Sequence, residues 1–287
     1  TFSGKETSSS VLNGFTITNG AFSGVNGKGC KTIIENNRII NNFIMSLPGN
    51  QGGGGIRDCD GLIQNNFISY NQAEEAGGGI ELCDGTIQKN IISNNFAGYR
   101  GGGISRCTGL ITENIIKNNY GGYGAGGVYL YYANSGPTMK NCLISENKTG
   151  SHSNGGGIFC EDSRNVEIFN CTIVNNEATS GRGGGINLDS GMNNVKIVSS
   201  IIYGNKGLTG KNLYIDDYSS ITISYCDFDS GIYNNGGILN LGQGNLHADP
   251  YFVDGSNADT NKRDYHLRGD SPCIDAGDPN SDFSLEP

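Results

Sequence analysis

Aliphatic residues recur along this chain at fixed distances, separated by asparagine and glycine. One column reads Leu12, Ile34, Ile63, Ile87, Ile111, Met139, Ile168, Ile197 and Ile223. Five residues further on, a second reads Ile17, Ile39, Ile68, Ile92, Ile116, Ile144, Ile173, Ile202 and Phe228. A third follows a glycine triplet: Ile56, Ile80, Ile104, Val128, Ile158, Ile186 and, with the triplet degraded, Leu213. The triplet returns after three steps of 24 residues, then 30 and 28, with Ala125 as its one variant start. A period in this range makes each repeat one supersecondary unit that cannot bury its own apolar face, so neighbouring repeats stack to make the core.

The apolar segments are short, rich in Ile and Val, and bounded by Gly or Asn. Helices need longer runs with a 3.6 period, so these are strands. Three short strands per turn predict an all-β, right-handed parallel β-helix of about nine to ten rungs. The handedness follows the preference of parallel crossovers. At about 4.8 Å per rung the rod is roughly 40–45 Å long. Residues 1–245 are assigned to the β-helix and 246–287 to a C-terminal closing segment.

Stacking explains the polar columns. Asn42, Asn71, Asn95, Asn119, Asn147, Asn176 and Asn205 each follow the second column by three residues. Asparagine tolerates the left-handed backbone of a sharp corner, and its amide can bond from rung to rung, so a ladder at a corner is expected. The glycines serve a corner with positive φ or a close approach between rungs. Cys30, Cys59, Cys83 and Cys107 form another column. Four thiols in a line cannot converge on zinc, which needs a tetrahedral set. They are expected to be buried and unpaired.

Composition narrows the function classes. The net charge of −9 argues against nucleic acid. It also repels acidic polysaccharides unless a cation intervenes. No run approaches the roughly 20 apolar residues of a membrane helix. His152, His247 and His266 stand isolated, with no role assigned.

Two motifs together carry a resemblance: Gly-Gly-Gly-Ile, and runs such as Asn170-Cys171-Thr172-Ile173-Val174-Asn175-Asn176. The chain resembles the right-handed parallel β-helix superfamily, whose enzymes include pectate lyases. More narrowly it looks like bacterial secreted β-helix repeat proteins, and its repeats are similar to those of polymorphic outer-membrane adhesins. The Ser10–Gly20 stretch looks like an early rung of that group and Ser271–Pro279 like its terminal segment. The resemblance implies further strands before the first and a closing segment after the last, so the chain is expected to be part of a longer polypeptide.

Candidate chemistry sits on the strand after the glycine triplet. With Val128, Leu130, Ile158, Cys160, Ile186, Leu188, Leu213 and Ile215 inward, alternation turns their neighbours outward. Glu161, Asp189 and Asp216 then lie on successive rungs. Crowded carboxylates repel unless a cation binds or one is protonated, and oxygen ligands suit Ca²⁺. The resemblance supports this reading, since pectate lyases place acidic Ca²⁺ ligands on adjacent rungs. The alternative is a solvated acidic face. Tyr129, Tyr131, Phe159 and Tyr214 point outward as a second set, either to stack on sugar rings or to pack across rungs. Tyr99, Arg100, Tyr120, Tyr123 and His152 fall on projecting loops, and Glu167 with Lys196 is expected to form a surface ion pair. Arg164, Arg182 and Lys196 match no catalytic motif. Two functions result. One is a non-catalytic extracellular or cell-surface β-helix that meets a polysaccharide or another surface protein, or associates end to end. The other is a Ca²⁺-dependent polysaccharide lyase. No nucleic-acid partner is expected, nor a membrane span in this chain.

Overall fold

The computed structural model describes residues 1–45, 52–131, 136–191 and 194–281. Among these the chain winds as a parallel β-solenoid with no α-helix. One rung shows how the sequence does it. Ile56–Cys59 lies on a first side, Leu62–Gln64 on a second, Phe67–Ser69 on a third and Gln72–Ala73 on a fourth. The next rung starts at Ile80. Equivalent strands pair in parallel, giving sheets I to IV of nine, ten, nine and seven strands among the described residues. Seven turns therefore carry a strand on all four sides, and partial rungs extend the other sheets to the nine or ten read from the sequence. The sequence reading has three strands per turn. The fourth is only two residues long in most rungs, such as Phe96–Ala97, too short to show an alternating pattern.

The three aliphatic columns pair in the expected register. Ile87 faces Ile63 and Ile111, Ile92 faces Ile68 and Ile116, and Ile186 faces Leu213. They merge into one continuous core in which most members have no exposure. Each buried isoleucine contributes about 1.5–3 kcal/mol by removal from water. All nine cysteines are free, and Cys30, Cys59, Cys83 and Cys107 lie within this core. Burial holds the Cys83 and Cys107 thiols well above their usual range.

The asparagine ladder runs unbroken through the rod. Asn119 donates from Nδ2 to Asn147 Oδ1 at 3.0 Å and to the Ile92 carbonyl at 2.9 Å. Its own Oδ1 accepts from the Asn95 amide and backbone nitrogen, each at 3.0 Å. A fully buried amide is thereby satisfied without water. The chain bends one residue earlier than the sequence reading placed it. Positive φ falls on Asn41, Tyr70, Asn94, Asn118, Glu146 and Asn175, not on the ladder residues that follow them. The ladder asparagine is there for its side chain, and the corner accepts Tyr or Glu. A second ladder, Asn37, Asn66, Asn90 and Asn114, changes to Cys142, Cys171, Ser200 and Cys226. There Cys142 Sγ bonds the Lys140 carbonyl at 3.1 Å in place of the amide.

The first glycine of each triplet has positive φ: 79° at Gly53, 63° at Gly77 and 68° at Gly101. Ala125 holds the same conformation at 49°. Beyond the last rungs, Phe252–Asp254 and Asp264–Leu267 form an antiparallel hairpin. It is fastened to the outside of the rod by Arg263 and Tyr265 on Glu146, and by Asn175 on Tyr265. Glu167 and Lys196 pair at 3.9 Å on the surface, as expected.

Candidate functional site on sheet I

The outer face of sheet I is where repetition stops. Its second position in each strand reads Arg57, Glu81, Ser105, Tyr129, Phe159, Asn187, Tyr214 and Tyr233 through consecutive pairings. The fourth position reads Tyr131, Glu161 and Asp189, with Asp216 following Ile215, the partner of Leu188. The chain before each triplet forms an overhang beside this face, bridged from Ala76 to Arg100, Gly124 and Asn154.

Arg100 reaches from that overhang across two rungs. Its Nη1 donates to the Tyr129 hydroxyl and to Glu161 Oε2. Its guanidinium also lies over the rings of Tyr99, Tyr129 and Phe159, at 5.2, 5.0 and 5.6 Å. The Tyr129 hydroxyl donates to the same carboxylate oxygen at 2.6 Å. Burial first, and that hydrogen bond second, raise the Tyr129 hydroxyl far above its ordinary range. Glycine at 124 makes room, because a Cβ there would lie 2.8 Å from the Phe159 ring. A second ion pair joins Arg106 to the fully buried Glu81. Burial pushes the Glu81 carboxyl up and Arg106 draws it back.

The aromatic side chains expected to face outward do leave the core, but they are covered. Tyr129, Phe159 and Tyr214 are 3%, 4% and 2% exposed. Tyr129 and Phe159 pack with Ala125 and Tyr131 as a small cluster of their own, and Arg182 covers Tyr214, 4.9 Å from its ring and 3.0 Å from its hydroxyl. The rings open to a ligand are others. Tyr99 and Tyr123 stack at 4.9 Å, nearly parallel, and stand 47% and 64% exposed. Phe96 and Tyr120 stack beside them in sequence at 5.4 Å. A cleft of 280 Å³ lies between the overhang and sheet I, lined by Glu75, Ala76, Tyr99, Arg100, Arg106, Tyr129 and Tyr131. Larger cavities, up to 620 Å³, lie where the C-terminal segment rests on the rod, and they are the seam of that packing.

The three candidate carboxylates do lie one above the next, yet in two environments. Glu161 is held by Arg100 and Tyr129. Asp189 and Asp216 are adjacent, and Asp216 accepts from the Ser190 backbone at 3.4 Å. Burial, and then the Asp216 carboxylate, push the Asp189 carboxyl up. Among the described residues no group of three or more His, Cys, Asp or Glu side chains is disposed to hold a metal ion. With Glu161 engaged by a guanidinium, the set does not supply the six to eight oxygens of a Ca²⁺ site. The sequence reading missed Glu81 and Arg106. Following the outward position back from Tyr129 to Glu81, a charge beside a glycine triplet, was the available signal.

The profile of the family described as the right handed beta helix region matches residues 3–153 and 105–253. The chain belongs to this family. No curated protein and no solved structure matches it.

Proposed function

We propose that this member of the right-handed β-helix family is a non-catalytic glycan-binding protein of the cell surface or the extracellular space. The observation that carries the reading is the exposed, stacked Tyr99–Tyr123 pair at the edge of the cleft. Flat aromatic surfaces receive the apolar faces of sugar rings, and polar groups beside them fix hydroxyls. Glu75, Arg100 and Tyr131 line the cleft beside the pair.

The same geometry disfavours the lyase alternative. An elimination needs a base free to take a proton from the substrate, and its pKa must suit that task. Arg100 and Arg106 are engaged with Glu161 and Glu81.

The test is retention of the full chain on a panel of immobilised neutral and amino-sugar glycans, with cell fractionation to locate the protein. Tyr99→Ala and Tyr123→Ala should each weaken retention severalfold, and together abolish it, with the melting temperature unchanged. Release of unsaturated or reducing sugar ends by the native chain, with or without Ca²⁺, would refute the non-catalytic reading.

A further inference from the structure

Two of the carboxylates on the outer face of sheet I have a cation beside them, and two adjacent ones make no ion pair among the described residues. Glu81 has Arg106, and Glu161 has Arg100. Asp189 and Asp216, on the next two rungs, make no ion pair among the described residues, although Asp189 is partly buried. Two further features surround them. Asn187 projects from the same strand and the same face as Asp189, two residues earlier. It is wholly buried, and neither its Nδ2 nor its Oδ1 has a partner. An orphaned buried amide costs about 1–3 kcal/mol, so it marks a place where a partner belongs. Next to Asn187 in register stands Tyr214.

This face already binds cations in a consistent way. Arg100 lies on Tyr129 and Phe159 and ends on a carboxylate, and Arg182 lies on Tyr214. At Asp189 and Asp216 the nearest ring, Tyr214, is already covered by Arg182, so the carboxylates are what suit an organic cation, by bonding its protons. A bare divalent metal would need more oxygens than are gathered here.

We propose that Asp189, Asp216 and Asn187 form a subsite for a primary ammonium carried by the bound glycan, so that the ligand is an amino-sugar polymer with free amines. The proposal rests on the glycan-binding reading and names the substrate class within it. An ammonium has three donors, and two carboxylates with one amide oxygen supply an acceptor for each. The shared excess of negative charge on Asp189 and Asp216 is relieved when the cation seats. An N-acetylated sugar cannot make this contact, since its nitrogen is neutral and has a single N–H. Asp189 and Asp216 lie three and four rungs, about 15–20 Å, along the rod from the rung that Tyr99 precedes, which is the reach of a short oligosaccharide along the face.

Calorimetric titration of the full chain with glucosamine oligomers, N-acetylglucosamine oligomers, oligolysine and calcium chloride tests this. The free-amine oligomer should bind about tenfold tighter than the acetylated one, the scale of one hydrogen-bonded charge. Asp189→Asn and Asp216→Asn should each bring that ratio close to one. Both are isosteric, and a cooperative melting transition no lower than that of the native chain checks their folding. Equal affinity for the two oligomers, or a ratio that survives both substitutions, overturns the proposal while the glycan reading stands. Oligolysine binding as tightly as the amino sugar, or an Asp189-dependent response to calcium alone, also overturns it. Binding of no glycan at all removes both readings.

Discussion

The inside of the rod and the outer face of sheet I are built on the same strands, one residue apart, and obey opposite rules. Inside, Ile158, Ile186 and Leu213 repeat a single shape from rung to rung. Outside, their neighbours Phe159, Asn187 and Tyr214 alternate between ring and amide. Inside, the ladder amides are fully bonded. Outside, Asn187 is buried with none of its bonds made. Repetition is what stacking requires, because identical residues one rung apart fill identical space. A ligand imposes no such rule, and departures from the repeat are therefore where function is expected.

The comparison is broken most severely from the inside. Ile116→Ala should cost about 2–5 kcal/mol, because the packed rung cannot collapse into the void. Ile115→Ala, at the adjoining outward position with 36% exposure, should stay within about 0.5 kcal/mol. Urea denaturation of the two variants measures the contrast, and comparable losses would refute the inside–outside division. Next in size is the ladder. Asn119→Leu should cost about 1–3 kcal/mol, since it leaves the Asn95 and Asn147 amides short of partners. Asn118→Gly, at the adjacent corner with φ of 54°, should be close to neutral. If Asn118 proves the costlier site, corner and ladder have been assigned to the wrong residues.

The smallest effect sharpens the comparison from the outside. The Asp189 carboxyl has its folded pKa raised, so the folded chain holds that proton more tightly than the unfolded chain does. Its contribution to stability is present in acid and is lost as pH rises through the folded pKa. Asp189→Asn should therefore raise the melting temperature slightly at neutral pH, and the gain should vanish in acid. A lower melting temperature at neutral pH would mean that the native carboxylate is stabilising, and would contradict the crowding with Asp216.

Much of the interior was legible in the chain. The columns of Ile34, Ile39 and Ile56 and their equivalents fixed the strands, because burial on a repeating lattice leaves a repeating trace. The buried, unpaired thiols followed from the same register. Two local features left less trace. The two-residue strands of sheet IV are too short to alternate, and the left-handed corner tolerates Tyr70 and Glu146, so no residue type announces it. The outer face was legible only in direction. Alternation turned Tyr129 and Glu161 outward correctly, but their surroundings depend on Arg100, 29 residues before Tyr129 and 61 before Glu161. No local pattern records a side chain that crosses two rungs to cover an aromatic ring.

The asparagine ladder also gives the rod an electrical direction. In each step Nδ2 points to the next rung and Oδ1 to the previous one, from Asn42 to Asn205. Backbone dipoles largely cancel within a sheet, but these amide dipoles are parallel and add, as the peptides of a helix do. The column carries its oxygen end toward the N-terminus and its N–H end toward the C-terminus. The N–H end continues from Asn205 to Asn212, whose Nδ2 donates to the Asp229 carboxylate. An anion at the positive pole is the arrangement that electrostatics favours. The ladder is therefore polar along its length, and its positive pole is closed within the chain by the Asp229 carboxylate.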